Sequence, residues 1–325
     1  MKWGTRMPFR VFGASHAESL GIEVELPLGT RVDTERIAAE LVRRRPADDA
    51  ASTKRREADI PIFTGIEDGI VTGPVTIAIR NTDARPRDYA LSGFRPGHAD
   101  YPAWVKYGTA ETGGGVFSGR MTAAIVMAGA IVLPWLEARG VHIHSEIVSI
   151  GEMQFPGGVA PQGLDAYLDR IRAAKDSVGS KVRVVAEGVP AGLGSPMFGA
   201  FESILSSLLF AVPAVKAIGF GDGEDFAGAR GSEVSDPYIM KDGKVTVAAN
   251  HNGGILGGLT TGAPITCTVT FKPPSSIGIP QRTVDRDGNE TVITVGGRHD
   301  VAIAPRGRVV LEGALALAIW EGGIP

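Results

Sequence analysis

Two stretches of the chain repeat one pattern, and this repeat restricts the possible fold more than any other feature. Residues 21–29 read GIEVELPLG and residues 184–192 read VVAEGVPAG, and a helical pattern follows each of them. Further along, TGPVT at residues 72–76 returns as TGAPIT at residues 261–266. Two matches in the same order indicate an internal pseudo-twofold duplication, with related halves at about 1–150 and 151–325. Chance similarity between strand–turn–helix units is the alternative explanation.

Strand and helix patterns intermix along the whole chain. Alternating polar and apolar residues, typical of half-buried strands, occur at residues 22–26, 75–79, 181–185 and 266–271. Helical periodicity occurs at residues 33–45, where Thr34 is a candidate cap, and at 120–138, 161–175, 197–212 and 309–320. These patterns predict an α+β fold with helices packed against antiparallel sheets. Since no linker interrupts them, we expect a single domain over residues 1–325.

Charge and apolar content exclude several classes of protein. The net charge of −3 disfavours a strongly basic nucleic-acid binder, and 43% hydrophobic residues are too many for a disordered chain. The most apolar stretch, residues 121–136, is interrupted by Pro134 and is shorter than the roughly 20 residues that span a bilayer. We therefore expect a globular protein that binds neither nucleic acid nor a membrane.

Cysteine and histidine usage points to the cytoplasm and away from a metal site. The single cysteine, Cys267, cannot form an intramolecular disulfide, and the N-terminal residues show no signal-peptide pattern. His142 and His144 alternate on a predicted strand, but no cysteine or carboxylate accompanies them at a zinc-ligand spacing. The expectation is a cytoplasmic protein without a bound metal.

Two of the four polar clusters lie near the N-terminus, in segments without clean periodicity. Ser15 precedes His16, which either is a structural histidine or delivers a proton that the neighbouring hydroxyl relays. Three successive arginines, Arg43 to Arg45, end the first predicted helix. Their charges either complement the helix dipole or bind an anionic substrate, since a planar guanidinium suits phosphate and carboxylate.

The other two clusters combine glycines with charged side chains. The triplet at residues 113–115 precedes a helix, where backbone amides attract phosphate, although a flexible turn produces the same string. It has neither the ending of a P-loop nor the spacing of a dinucleotide fingerprint, so neither ATP nor NAD binding is indicated. Residues 272–276, KPPSS, either suit a phosphate or ribityl chain or form a plain edge turn. His299 and Asp300 form either an acid–base pair or a surface ion pair.

Taken together and in order, short motifs along nearly the whole chain resemble the chorismate synthase family. The matching strings are Gly13-x-Ser15-His16, RRRP at 43–46, RRE at 55–57, RNTD at 80–83, FRPGHADY at 94–101, GGG at 113–115, DSVG at 176–179, GVPAGLG at 188–194, RGS at 230–232, NHxGGIxGG at 250–258, KPxSS at 272–276 and GRHD at 297–300. Their shared order carries more weight than any single string. The resemblance implies a β-α-β sandwich, with helices between antiparallel sheets, and a homotetramer.

The resemblance also implies an activity. It implies a carbon–oxygen lyase of the shikimate pathway, which eliminates phosphate in an anti-1,4 sense from 5-enolpyruvylshikimate 3-phosphate to give chorismate. Reduced FMN is implied as the cofactor although no net oxidation occurs, and a separate flavin reductase or a reducing environment would supply it. Arginines in the site would offset the desolvation of one phosphate and two carboxylates. The alternatives are a non-catalytic relative that binds FMN or an anion, and a flavin-dependent lyase acting on another phosphorylated anion.

By position in these motifs, the resemblance implies a role for individual residues. His16 would be the acid toward the departing phosphate, and His98 would protonate or stabilise the reduced flavin. Asp300, with Ser15 as a relay, would help to move the substrate proton through flavin N5. The residues that would hold the substrate are Arg44, Arg45 and Arg120. Those that would hold FMN are Ser118, Pro213, Ala214, Gly257, Lys272, Pro273, Pro274, Ser275, Ser276 and Arg298.

The chain departs from the family pattern beside the expected site. The departures remove a glutamate, a glycine, three arginines and a serine, and they lie at Ala14, Ala17, Ala50, Thr112, Val116 and Phe117. His16, His98 and Asp300, the residues expected to move protons, are all retained. We therefore expect an active variant whose substrate affinity is altered.

Overall fold

The computed structural model describes residues 1–46, 51–52, 57–83, 92–109, 112–241, 243–297 and 299–325. The α-helices in these ranges are α1 (Thr34–Arg44), α2 (Asp100–Tyr107), α3 (Ala123–Glu137), α4 (Leu164–Ala173), α5 (Phe201–Leu209) and α6 (Ala304–Glu321). The strands are β1 (Lys2–Trp3), β2 (Phe9–Gly13), β3 (Ser19–Val24), β4 (Ile62–Glu67), β5 (Ile70–Arg80), β6 (His142–Ile150), β7 (Met153–Gln154), β8 (Ser180–Glu187), β9 (Val215–Phe220), β10 (Tyr238–Lys241), β11 (Lys244–Val247), β12 (Ile255–Leu256), β13 (Leu259–Thr260), β14 (Ile265–Phe271), β15 (Gln281–Val284) and β16 (Glu290–Ile293).

Four strands of each five-stranded antiparallel sheet share one connectivity. The first has the order β1-β2-β3-β5-β4 and the second β7-β6-β8-β14-β9. In chain order, β2, β3, α1, β4 and β5 of the first correspond to β6, β8, α5, β9 and β14 of the second. The repeated strings lie on matching strands, which agrees with the expected duplication. The second sheet begins at His142, and the boundary between halves near residue 150 stays a prediction.

The central helices α3 and α6 lie between the two sheets, which agrees with the predicted α+β sandwich. Helix α3 packs on β3 of the first sheet, α6 packs on β6 and β8 of the second, and the two helices pack on each other. The alternating apolar residues of the strands form the sheet faces that pack on the helices; in β3 these are Leu20, Ile22 and Val24, which are all buried. Helices that contact a sheet on one side and a helix on the other are apolar all round, as α3 is.

The apolar segment Gly119–Glu137 is long and apolar enough to cross a membrane by length and composition alone. However, 78% of its most apolar window is buried inside the protein. This burial is typical of a core helix, and the segment contains the apolar stretch at residues 121–136 that the sequence indicated is too short to span a bilayer.

Helices α3 and α6 approach each other most closely at two glycines. A Cβ atom on Gly129 would lie 2.4 Å from the Cα atom of Gly313 and 2.7 Å from its carbonyl oxygen. Since these neighbours are backbone atoms, only a shift of a whole helix would make room for a side chain. Glycine at position 129 therefore sets the distance between the two central helices.

Gly129→Ala is expected to lower the free energy of unfolding by about 1–3 kcal/mol, because the added methyl group overpacks this crossing. Urea denaturation followed by circular dichroism measures the effect. The control is Gly73→Ala in β5, since a Cβ atom there meets nothing within 4 Å. Equal unfolding midpoints for the two variants would show that the helices adjust freely.

Candidate active site

A cavity of about 730 Å³ opens where loops from both sheets meet the ends of the central helices. Its size falls in the range of small-molecule sites, about 300–1,000 Å³. The predicted site residues in its wall are Arg44, His98, Ser118, Arg120, Pro213, Ala214, Lys272, Pro273, Pro274, Ser275, Ser276 and Asp300. Residues more than 250 positions apart in the sequence, such as Arg44 and Asp300, therefore come together in one cavity.

The remaining predicted residues lie elsewhere. Of the described residues, Ser15, His16, Arg45 and Gly257 are not part of the cavity wall. The Arg45 guanidinium donates to the carbonyl oxygen of Ala58, and Gly257 is exposed in the turn between β12 and β13. Two further positions that the sequence singled out, Arg298 and Ala50, lie outside the described residues.

Arg44 and Arg120 share the carboxylate of Asp59. Arg44 Nη2 donates to Asp59 Oδ2 at 2.9 Å, and Arg120 Nη1 donates to Asp59 Oδ1. The exposed fraction is 1% for Arg44 and 3% for Asp59, so this ion cluster is removed from bulk water. Within the described part of the chain, Arg44 Nε is a buried donor without a hydrogen-bond partner. An unsatisfied donor of this kind leaves the positive charge of the cluster incompletely compensated.

The cavity wall carries more cationic than anionic groups at this end. Arg306 Nη1 pairs with Asp300 Oδ2 at 2.8 Å, and Arg306 Nε donates to the backbone carbonyl of Arg44 at 3.4 Å. Burial, followed by the charge of Arg306, lowers the pKa of Arg44 to about 10. Over the described residues of the whole wall, six cationic side chains (Arg44, Arg95, Arg120, Lys216, Lys272 and Arg306) stand against three carboxylates (Glu57, Asp59 and Asp300). A bound phosphate or carboxylate would balance the excess positive charge.

His98 is held by a carboxylate at the opposite side of the wall. Its Nδ1 lies 2.6 Å from Asp100 Oδ1, while Arg95 donates through Nε to Oδ2 at 2.7 Å and through Nη2 to Oδ1 at 2.8 Å. Burial alone would raise the pKa of Asp100, but hydrogen bonds from Arg95 and His98 outweigh it and hold that pKa below its usual range. Arg95 Nη2 also lies 3.1 Å from Nδ1, but the carboxylate contact is shorter and an ionised carboxylate only accepts, so Nδ1 carries a proton and Nε2 is left to exchange one. That face of the ring lies beside Gly114.

Asp100→Asn is expected to weaken the pH dependence of stability in acid. The pKa of Asp100 is lower in the folded protein than its value of about 3.9 in an unfolded chain, so its charge stabilises the fold above that pH. This stabilisation is lost as the pH falls below about 4. Urea denaturation at pH 7 and between pH 5 and 3 should show a gap between wild type and variant that narrows in acid. A constant gap would contradict the prediction, and Asp287→Asn in an exposed turn controls for loss of one charge.

One side of the cavity suits a ring that bears an anionic tail. Val212 and Pro213 supply apolar surface, while Lys272, Ser275 and Ser276 supply an ammonium group and two hydroxyls. Lys272 Nζ donates to the Gly97 carbonyl, and burial, together with the charge of Lys216, lowers the pKa of Lys272. The loop is held in place because Ser177 Oγ donates to the Pro274 carbonyl at 2.7 Å. Among the described residues, no group of three or more His, Cys, Asp and Glu side chains is arranged to hold a metal ion.

The Ser15-His16 pair lies behind this wall. Ser15 is fully buried, and its Oγ lies 2.9 Å from His16 Nδ1. Asn81, directly after β5, donates to the carbonyl oxygens of Ala14 and Ala17 and connects this loop to the cavity through Arg120.

Several residues of the site received no role from the sequence. Asn81, Arg95 and Asp100 belong to the motif strings RNTD and FRPGHADY, where their neighbours attracted attention. Asp59 and Arg306 belong to none of the strings, and no local pattern marks them. Only the folded chain shows that these carboxylates and guanidinium groups meet.

Comparisons with known proteins give matches over nearly the whole chain. A family model described as chorismate synthase matches residues 7–322. The chorismate synthase of Thermococcus gammatolerans is 41% identical, over 98% of this chain and 99% of its own length. That of Bordetella pertussis is 39% identical, over 98% of this chain and 95% of its own length. A crystal structure of a chorismate synthase, 23% identical, has the same fold, with a TM-score of 0.75 over 98% of this chain and 92% of that one.

Proposed function

The chain belongs to the chorismate synthase family, and we propose that it converts 5-enolpyruvylshikimate 3-phosphate to chorismate by anti-1,4 elimination of phosphate, with reduced FMN as cofactor. Family membership confirms the resemblance in the sequence and makes the protein a lyase with a small-molecule substrate. The particular reaction and the cofactor are our proposal. We further propose a cytoplasmic homotetramer that receives reduced FMN from a separate reductase or a reducing environment.

The observation that carries the proposal is the buried guanidinium cluster in the cavity wall. The proposed substrate brings a phosphate and two carboxylates, which lose their hydration on binding. Arg44, Arg120 and Arg306 supply preorganised donors in a site of low dielectric, where such groups are most effective. The partnerless Nε of Arg44 supports an anion as part of the intended occupant.

We propose that FMN binds along the part of the cavity wall that carries Lys272. In the proposal, Lys272, Ser275 and Ser276 hold the phosphate and ribityl chain with Ser118, and the backbone at Pro213 and Ala214 lies against the ring system. When bound, the reduced flavin supplies electron density to the allylic system of the substrate and recovers it. Arg298 and Gly257 are retained as proposed contacts; Gly257 lies outside the cavity wall in the single chain.

Three side chains are proposed to hold or move protons, with the Ser15 hydroxyl as a relay. His16, which lies behind the wall in the single chain, donates to the departing phosphate, and its Nδ1 lies 2.9 Å from the Ser15 hydroxyl. His98 exchanges a proton at Nε2, because Asp100 occupies Nδ1. Asp300, with Ser15 as its relay, helps to move the substrate proton, and its carboxylate is held in the wall by the ion pair with Arg306 at 2.8 Å.

The departures from the family pattern change one part of the wall. Val116 and Phe117 line the cavity and offer apolar surface where the family pattern has an arginine and a serine. The cluster around Asp59 does not depend on either position. We therefore propose that this cluster carries the anion-binding task and that the departures lower affinity more than rate.

An anaerobic assay with chemically reduced FMN tests the proposed function. Phosphate release and the absorbance of chorismate are measured together, with reactions lacking flavin or substrate as controls. Equal amounts of both products support the proposal. Flavin binding without turnover would instead support a binding protein, and phosphate release only from a different phosphorylated anion would support a lyase with another substrate.

A further inference from the structure

We propose that Asn81 is a positioning residue, which holds the Ser15-His16 loop and couples it to the anion-binding side chain Arg120. The inference rests on the proposed function, because it makes occupancy of the anion site hold the proton donor in place. Asn81 touches neither the cavity nor the His16 ring in the contacts described, and it acts through two other residues.

Asn81 forms hydrogen bonds to the loop on both sides of His16, the proposed proton donor. Its Nδ2 donates to the carbonyl oxygens of Ala14 at 3.0 Å and Ala17 at 2.7 Å, which flank Ser15 and His16. Its backbone N–H donates to the Glu18 carbonyl at 3.0 Å. Three hydrogen bonds from one residue thus fix the loop to the end of β5.

The same side chain reaches the cavity wall through its oxygen. Asn81 Oδ1 accepts from Arg120 Nε at 3.0 Å. Arg120 lines the cavity and is anchored by Asp59 and by the Arg80 carbonyl. A single amide therefore links a guanidinium group in the wall to the loop behind it.

Only a primary amide of this length meets both demands. Two carbonyl acceptors on one side require the NH₂ group there, and the guanidinium donor on the other side requires the oxygen, so the partners fix the amide orientation. An aspartate of the same shape would turn a carboxylate oxygen toward two carbonyl oxygens. The demands of both neighbours, rather than either alone, explain an asparagine at position 81.

The arrangement implies coupling between binding and proton donation. An anion that binds Arg120 restrains its guanidinium group, and the bond from Nε to Asn81 transmits this restraint to residues 14–17. Without the Asn81 side chain, the loop loses its two side-chain bonds and keeps backbone bonds such as Ser15 N–H to the Gly115 carbonyl at 3.3 Å and residue 81 N–H to the Glu18 carbonyl at 3.0 Å. A displacement of His16 by about 1 Å is enough to cost roughly 10²-fold in rate.

A double-mutant cycle tests whether Asn81 acts through His16. Asn81→Ala and Asn81→Asp should each lower kcat roughly 10²-fold in the wild-type background. In a His16→Ala background the same substitutions should change kcat less than about 2-fold, because the group that they position is absent. An equal fold-decrease of kcat in both backgrounds would indicate a merely structural role and overturn the inference. Asn289→Ala, which removes an amide bound to Asp285 in a surface turn, is the matched control.

Hydrogen exchange measured by mass spectrometry tests the coupling without activity, with inorganic phosphate as the probe. In the wild type, saturating phosphate should slow amide exchange in residues 13–19 at least about 3-fold. In Asn81→Ala, exchange there should be faster and should not respond to phosphate, while Asn289→Ala should behave as the wild type. A phosphate response that survives Asn81→Ala would overturn the coupling. If amide exchange responds to phosphate as expected but 5-enolpyruvylshikimate 3-phosphate is not converted, the proposed function fails and the positioning role of Asn81 stands.

Discussion

His98→Ala is expected to lower kcat by roughly 10²–10⁴-fold and to leave the fold intact, since general acid–base groups contribute about that much. The ring lies in the cavity wall with Nδ1 fixed by Asp100, so Nε2 is the atom that exchanges a proton. In the variant, Arg95 still binds Asp100 through two nitrogen atoms, and no buried charge is left alone. The loss should therefore appear in turnover rather than in stability.

The anaerobic turnover assay measures this effect, together with FMN affinity and the urea midpoint. His144→Ala is the control, because His144 is an exposed histidine on β6 outside the cavity. A wild-type rate in His98→Ala would remove this side chain from the mechanism. A lowered rate that more FMN restores would assign His98 to cofactor binding instead.

Asp59→Ala is expected to lower the free energy of unfolding by about 3–5 kcal/mol, because removing one member of a buried ion cluster leaves uncompensated charge. Arg44 is 1% exposed and Arg120 is also buried, so neither guanidinium group can regain full hydration. Their mutual repulsion would no longer be offset by the shared carboxylate. Urea denaturation measures the loss, and weakened substrate binding should accompany it.

Backbone strain must be separated from charge in this experiment. Asp59 has a φ of 46°, a left-handed conformation that alanine adopts less readily than aspartate. Asp68 has a φ of 48° but is exposed in the turn between β4 and β5, so Asp68→Ala measures the backbone part alone. Similar losses at both positions would show that the ion cluster contributes little.

The sequence predicted the elements whose pattern is set by burial. Helix α3 is buried all round, and its apolar run predicted it nearly residue for residue. The first helix was also predicted, although Asp33 rather than Thr34 caps it, accepting from Arg36 N at 2.8 Å. The side-chain oxygens of Asp33 and Thr34 can each cap a helix N-terminus, and only the extended backbone at Asp33 decides which of them does.

Other elements depend on contacts that no local pattern contains. Helix α2 has eight residues and includes a proline, and it is held by Phe94, whose ring packs against Tyr101 and Trp104. Helix α5 begins at Phe201 rather than near residue 197, because the backbone of Ala200 is extended, with ψ at 139°. In both cases packing overrides a weak local signal.

The resemblance named twelve of the residues that line the cavity, but not the residues that hold it together. Arg44, His98 and Asp300 all line the cavity, and the roles that the resemblance implies for them stay predictions. No sequence pattern marks Asp59, because its partners lie 15 and 61 positions away. A carboxylate that pairs with guanidinium groups from two distant segments forms no motif of fixed spacing in the sequence.

The matching connectivity of the two sheets places the ends of α1 and α5 at equivalent positions, and both ends reach the cavity. Arg44 stands at the first, while Val212 and Pro213 follow the second. Two identical halves would present the same chemistry twice. Here one of the two equivalent ends carries charge and the other apolar surface, so the two sides of the pocket differ although the elements that form them correspond. A substitution at either end therefore changes one side of the pocket without a matching change on the other.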